Sequence, residues 1–450
     1  MNNRRNTFNI KLILAIVIGI CGMLLLFRLG AKDGDYRTGT RSYEPHDIQI
    51  VVNDDRKLEI SCAGPKNIYI LASDDEDVRI NDEGWVKMED QKAVFDLKDH
   101  KEYYFIKYAN KIYKAGSNED VCYVELSIEN SSHAYLAVGE EYDYTVNCKV
   151  IGYTNEELKW NISNKSVVSM EDGHVVALAD GETTVTAYLL NKSAVRHITV
   201  SDLFVKAPEH FDLNKEELPC ERYSKEENDL LDAALKARIA EAGYSTRAGA
   251  VEAARFLTLN FPYKIDYFYE WGRQGLDGID GEGRYYIPGL YLDESRFANL
   301  LGSNSGPETW GCPLYSQSVN VVSPNGLDCS GFVTWALLNG GFDCGDIGSG
   351  FSPGLRALTD IGELVVNSQS SLSRIKVGDL VHSNFTGGHI GIIIGIKDNV
   401  YYVAEATPRE GVMALVVSEL DANAFIRTWE HVVLMDSYYL EDGDLTDMWY

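Results

Sequence analysis

Paired cysteines of the C-x-x-C kind are missing from this sequence, and its eight cysteines and nine histidines form no cluster with zinc-ligand spacing. A structural zinc module is therefore not expected, and no metal or other cofactor is implied. Eight cysteines in 450 residues is also too low a density for the fold to depend on disulfides. Basic residues are scarce, with 41 Lys and Arg against 68 Asp and Glu, a net charge of −27. Such a chain is a poor non-specific ligand for nucleic acid, which needs clustered cations, and no nucleic-acid motif is present. The acidity reads most simply as solubility. With 45% hydrophobic and 11% aromatic residues the chain has ample material for packed cores, and its length suggests two to four domains.

Long hydrophobic runs are equally rare. The one at Leu12–Phe27 is unbroken, counting Gly19 and Gly22, and is flanked by Arg4, Arg5, Lys11 and Arg28. Extended by Ile10 and Leu29, it approaches the length of a membrane-spanning helix. Residues 1–30 therefore read as a signal anchor, with a cleaved signal peptide as the alternative. The bulk of the chain is placed outside the cytoplasm because the segment is built like an export signal. Residues 31–46 are polar and read as a linker.

From 47 to 116 short alternating runs such as Ile48–Val52, Ile68–Leu71 and Tyr103–Tyr108 are separated by turn residues, which predicts a small all-β domain. A second β module spans 122–203, with runs at about ten-residue spacing and glycine turns, as in a β-sandwich. Trp160 is the natural plug between its sheets. The order L-A-V-G-E at 136–140, Trp160, V-V-S-M at 167–170, G-H-V-V-A at 173–177 and G-E-T-T-V-T-A at 181–187 resembles the bacterial immunoglobulin-like group 2 domain. The resemblance implies a spacer or adhesion element.

The pattern then changes. Ser224 caps a predicted helix ending at Gly243, and Thr246 caps another that runs to about Asn260 before Pro262. Strands follow after 374, and this helices-then-strands order is that of an α+β domain. Residues 273–323 lack periodicity and read as an inserted loop.

The chemistry centres on N-G-L-D-C-S-G-F-V-T-W-A-L-L at 325–338. Asp328 is an N-cap and Cys329 opens the helix. The unpaired N–H groups and partial positive charge of a first turn favour a thiolate there and can stabilise an oxyanion. Ser330 and Gly331 leave room for a substrate carbonyl. Downstream, V-G-D-L-V at 377–381 precedes G-G-H-I-G-I-I-I-G at 387–395, in which His389 starts an apolar strand. A turn at 397–399 returns V-Y-Y-V-A-E-A antiparallel. Reflection about 398 sets 391 opposite 405, so Glu405 shares a face with His389 and can orient the imidazole as the third member of a triad; the plainer reading is a strand-end charge.

Together these motifs resemble the NlpC-type cell-wall cysteine peptidases, in this family's order and over roughly 245–435. The resemblance implies a papain-like fold, Cys329 as nucleophile and His389 as general base. The implied reaction is hydrolysis of amide bonds in peptidoglycan stem peptides, without a cofactor. The family's third residue is commonly His, Asn or Gln, so Glu405 departs from it. The resemblance also suggests a substrate-lining tyrosine, for which Tyr267 in Y-F-Y-E-W-G competes with the segment 310–315 and with ordinary aromatic packing. It places Asp328 and Ser330 against substrate, although capping explains Asp328 equally well. His382 reads as packing, and Cys312 and Cys344 as structural thiols.

The expected architecture is thus multidomain. It comprises a membrane helix (1–30), a linker (31–46), a small β domain (47–116) and an immunoglobulin-like sandwich (122–203). A helical linker (204–244), an α+β papain-like domain (245–438) and an acidic tail (439–450) follow. The expected partners are peptidoglycan stem peptides and, through residues 1–30, the membrane of a bacterial cell envelope; nucleic acid is not expected. A related Cys–His amidase or acyltransferase, and an inactive cell-wall binding protein, are the alternatives.

Overall fold

The computed structural model describes residues 44–450 apart from 53–56, 97–100, 118–121, 153–155, 214, 217–222, 268–287, 291–313, 317–320, 324–325, 346, 349–355, 385–387, 410 and 447. The N-terminal segment 1–30, most of the linker and nearly all of the insertion 273–323 lie outside the described residues, as do Cys21, Cys220 and Cys312. The chain divides into two compact units. One is Met1–Ser127 with Asn147–Leu158 and Leu189–Lys192; the other is Ile128–Val146, Lys159–Tyr188 and Ser193–Tyr450.

In the first unit, His46–Val52, Lys57–Ala63 and Lys92–Asp96 make a three-stranded antiparallel sheet. Val86–Lys87, Tyr69–Ser73, Tyr103–Tyr108 and Lys111–Ser117 make a four-stranded one. Strict alternation builds the core: Leu58, Ile60 and Cys62 point inward from one strand and meet Ile70, Tyr104 and Ile106.

The second unit begins with β-structure. Lys159–Ile162, Gly181–Leu189, Lys192–Ser201 and His133–Ala137 form a sheet whose last pair is parallel, and Glu141–Asp143, His174–Ala177 and Val168–Glu171 form another. Trp160 lies on an edge strand and is only half-buried, resting on Gly173 and Tyr144. The buried positions are instead aliphatic: Val175, Val185, Ala187 and Ile198.

Among the described residues four α-helices follow: α1 (Lys225–Gly243), α2 (Arg247–Arg255, continued by a π turn to Asn260), α3 (Cys329–Asn339) and α4 (Ala422–Thr428). The α1 start is a capping box, in which the Ser224 hydroxyl accepts from the Glu227 N–H and the Glu227 carboxylate accepts from the Ser224 N–H. The helices pack on an antiparallel sheet of β1 (Glu363–Val366), β2 (Leu380–Ser383), β3 (His389–Lys397), β4 (Val400–Thr407), β5 (Ala414–Asp421) and β6 (His431–Leu434), ordered β1-β6-β2-β3-β4-β5. Phe332, Val333, Ala336 and Leu337 of α3 meet Ile390, Ile392, Ala404 and Ala406 of β3 and β4 in one core. Helices α2 and α3 approach so closely that a Cβ on Gly340 would lie 2.5 Å from the Ala250 Cα.

The expected fold class needs correction. Of the described residues, 42% are in strands and 18% in helices, so the chain is predominantly β, and an α+β papain-like C-terminal domain is not supported. The physical reason is element length. Three long periodic helices dominate a reading by periodicity, whereas more of the described residues lie in strands of two to ten residues. The N-terminal membrane helix is not supported either: no helix among the described residues is long and apolar enough to cross a membrane.

Residues 439–450, read as an acidic tail, are docked on the helices. The carbonyls of Glu441 and Asp442 accept from the N–H groups of Arg247 and Ala248, capping α2. The Arg247 side chain is fully buried and donates to the Val377 carbonyl (3.1 Å), Asp379 (2.9 Å), Asp436 (2.5 Å) and Asp442 (3.0 Å). Its guanidinium also lies 4.8 Å from the Tyr439 ring centre. Asp379 is buried as well, so removing the cation strands a carboxylate away from water. Arg247→Ala is expected to destabilise the unit by about 3–5 kcal/mol, read as a lower urea midpoint. Lys376→Ala, which removes a half-exposed partner of Asp436, is expected to cost under about 1 kcal/mol.

Candidate active site

Cys329 is the first residue of α3 and is 4% exposed. The Asp328 carboxylate accepts from the Gly331 N–H at 2.5 Å and from the Ser330 hydroxyl at 3.4 Å, and the Asp328 carbonyl accepts from the Phe332 N–H. This cap fixes the turn that presents the sulfur. The Cys329 N–H has no intrahelical carbonyl to meet, because it stands in the first turn. Asp328 and Ser330 are each 2% exposed, so they line the turn around Cys329 from within.

Tyr267 is held close to this turn. It bridges Leu327 in parallel, while Leu327 donates to the Asp266 carbonyl at 3.1 Å. Tyr267 itself donates to the Met413 carbonyl at 2.9 Å, next to the start of β5. The half-buried tyrosine therefore sits across the backbone from a residue two positions before Cys329.

His389 and Glu405 come from β3 and β4. Their hairpin turns on Asp398 and Asn399, both with positive φ (52° and 62°), the signature of a two-residue turn whose twist matches its strands. From that turn the register runs Lys397↔Val400, Ile396↔Tyr401 and Gly395↔Tyr402. A bulge then skips Ile394, and pairing resumes as Ile393↔Val403 and Ile392↔Ala404. Without the bulge Glu405 would oppose Ile392 and share its face. The extra residue shifts the register by one and turns Glu405 to the face of Gly391 and His389. A Cβ on Gly391 would lie 2.7 Å from Val403 Cγ1 and 3.0 Å from the Ala404 carbonyl, so the glycine lets β4 pack closely here, beside Glu405.

The Glu405 Oε2 is 2.5 Å from His389 Nε2. Its Oε1 accepts from the Ser418 hydroxyl at 2.5 Å and from Arg409 Nη2 at 2.9 Å. Trp429 stacks on the imidazole, with ring centres 5.3 Å apart and planes 13° apart. Buried Asn367 donates to the carbonyls of Phe425 and Trp429, fixing the turn that carries the indole. Burial works against an imidazolium at His389, but hydrogen bonding to Cys329 and Glu405 and their negative charge outweigh it, and the ring is held up to about 9. Burial likewise works against the Glu405 carboxylate, yet His389, Ser418 and Arg409 bring its pKa below the ordinary 4.5. With Nε2 on Glu405, Nδ1 is the nitrogen left for the thiol.

The structure thus joins His389 to Glu405 by a direct hydrogen bond, sets Cys329 where it helps raise the ring's pKa, and holds Tyr267 beside the Cys329 turn. His382 belongs elsewhere: Ser383 pairs with His389, so the neighbouring His382 points to the opposite face, where its ring lies 6.0 Å from that of His431. Burial pushes the Cys344 thiol up to about 12, and Cys62 is raised for the same reason, so both are inert. Among the described residues Cys62, Cys148, Cys329 and Cys344 are free thiols. Ser418, Arg409 and Trp429 escape a reading of the sequence. Strand pairing offered a signal for Ser418 alone, since Glu405↔Val416 puts it beside Glu405, while Arg409 lies beyond the end of β4. Trp429 lies 40 residues from His389 in sequence and nothing local marks it.

No protein-family model matches the chain, and no curated protein matches it. Among solved structures it is similar to domains 4 and 5 of the S-layer protein SbsC, at 18% identity and a TM-score of 0.16, over 22% of this chain and 63% of that one. It is similar to three N-terminal domains of the bacteriophage RB49 Highly Immunogenic Outer Capsid protein, at 13% identity and a TM-score of 0.17, over 37% and 64%. An I-band fragment from titin is matched at 14% identity and a TM-score of 0.16, over 36% and 62%. The chain spans just under two thirds of the length of each, and likenesses this weak carry no argument about the site.

Because the His389 pKa is raised above its ordinary 6.5, the protonated ring contributes stability that is complete below about pH 6.5 and is lost as the pH rises through about 9. An NMR titration of the His389 ring protons is expected to give a midpoint near pH 9, falling toward the ordinary value in Glu405→Gln. A midpoint at or below 6.5 in the unaltered chain would contradict this electrostatic arrangement.

Proposed function

We propose that the chain is a cysteine hydrolase that cuts amide bonds in peptidoglycan stem peptides outside the cytoplasm. The observation that carries this reading is the His389–Glu405 hydrogen bond together with a thiol at a capped helix start that helps hold the imidazole protonated. The motif order D-C-S-G-F-V at 328–333, V-G-D-L-V at 377–381 and G-H-I-G at 388–391 supports the NlpC-type substrate class.

The Cys329 thiolate attacks the scissile carbonyl carbon; a C–S bond forms and the carbonyl electron pair moves to oxygen, where the Cys329 N–H stabilises it. As the intermediate collapses the C–N bond breaks, and the His389 imidazolium gives its Nδ1 proton to the departing amine. Water then enters. His389, now neutral, takes a proton from it while the hydroxyl adds to the thioester carbon. The C–S bond breaks, and the thiolate and imidazolium are restored. Glu405 keeps its proton count throughout and holds the ring in place. The acidic surface of the chain and the β-rich segments before 204 accord with an enzyme carried on a spacer.

Mass spectrometry of peptidoglycan fragments after treatment with the full chain tests the reading. New amino termini within stem peptides are expected, and Cys329→Ala should lower their release by at least about a thousandfold. Undiminished release by that variant would remove Cys329 from the reaction. An acyl group passed to an amine in place of water would mark the chain as an acyltransferase.

A further inference from the structure

We infer that Ser418 and Arg409 are positioning residues that hold the Glu405 carboxylate ionised and aimed at His389, so that catalytic alignment depends on two side chains outside the Cys–His–Glu chain. The inference rests on the reading of Cys329 and His389 as nucleophile and base.

The Glu405 side chain is 2% exposed, and a carboxylate so placed takes up a proton unless its oxygens are met by donors. Each oxygen has a distinct task here. Oε2 faces His389 Nε2 at 2.5 Å, and Oε1 accepts from Ser418 Oγ at 2.5 Å and Arg409 Nη2 at 2.9 Å. The same Arg409 Nη2 donates to Ser418 Oγ at 3.1 Å, which closes a ring of three side chains around Oε1. Pinning Oε1 from β5 and from the segment after β4 restrains rotation of the carboxylate and keeps Oε2 toward the imidazole. Behind the thiol the charges alternate: imidazolium, carboxylate, guanidinium. Arg409 is 61% exposed, so the positive end of this line stands at the surface while the negative charge it balances is buried.

A proton in so short a charge-assisted bond resonates far downfield, and the His389 Nε2 proton of the full chain provides the readout. The resonance is expected in the unaltered protein, to be lost or displaced upfield in Arg409→Met and Ser418→Ala, and to be retained in Arg409→Lys and Ser418→Thr. Arg409→Met alters a mostly exposed side chain, so it leaves the core intact. Hydrolysis of stem peptides should fall by about tenfold or more in the first pair of variants and recover in the second. An unaltered chain without the resonance, a resonance unchanged in Arg409→Met and Ser418→Ala, or one lost equally in the conservative pair would each overturn the inference. Failure of the proposed function shows separately, as a Cys329 that does not react with iodoacetamide at neutral pH while the resonance is present.

Discussion

The Glu405 carboxylate carries a charge where water cannot reach it, and the site is arranged around that fact. A buried anion is tolerated only when donors replace its hydration. His389, Ser418 and Arg409 do so from three directions, on β3, β5 and the segment after β4. The carboxylate in return keeps the imidazole protonated against the effect of burial and leaves Nδ1 for Cys329. Moving Glu405 to the other face of its strand would undo each of these relations at once.

What keeps it on the right face is one residue. The two-residue turn at Asp398–Asn399 starts the hairpin in a register that would send Glu405 to the Ile392 face, and the bulge at Ile394 corrects it. Gly391 then lets β4 approach closely beside Glu405. The helix side of the site is held as strictly, since the Asp328 cap sets the first turn of α3 and α3 sits against α2 where Gly340 meets Ala250. Buried Arg247 ties α2 to the Val377–Asp379 turn before β2 and to the C-terminal segment, so the two walls of the site share one ionic node.

Much of this was legible in local sequence because it is locally determined. Ser224, Thr246 and Asp328 announce helix starts, as their short polar side chains satisfy N–H groups within three residues of themselves. The pairing of 391 with 405 was also within reach of simple reflection about 398. That reflection succeeded through the bulge, which no local pattern announced: an ideal two-residue hairpin gives the opposite parity. The overall β-rich balance of the fold is less legible, because long helices are conspicuous in periodicity and short strands are not.

By itself the sequence determined the motif around Cys329, the helix caps, the strand that His389 opens and the acidic balance that disfavours nucleic acid. Each depends on neighbours a few residues apart or on composition alone. Only the tertiary structure decided that Ser418 and Arg409 complete the environment of Glu405, and that Trp429 stacks on His389. It also decided that residues 439–450 cap and brace α2, and that Trp160 lies at a sheet edge. Those relations join segments from different strands and helices, and the energy that selects them comes from burying charge and aromatic surface together, which no local stretch of chain can express.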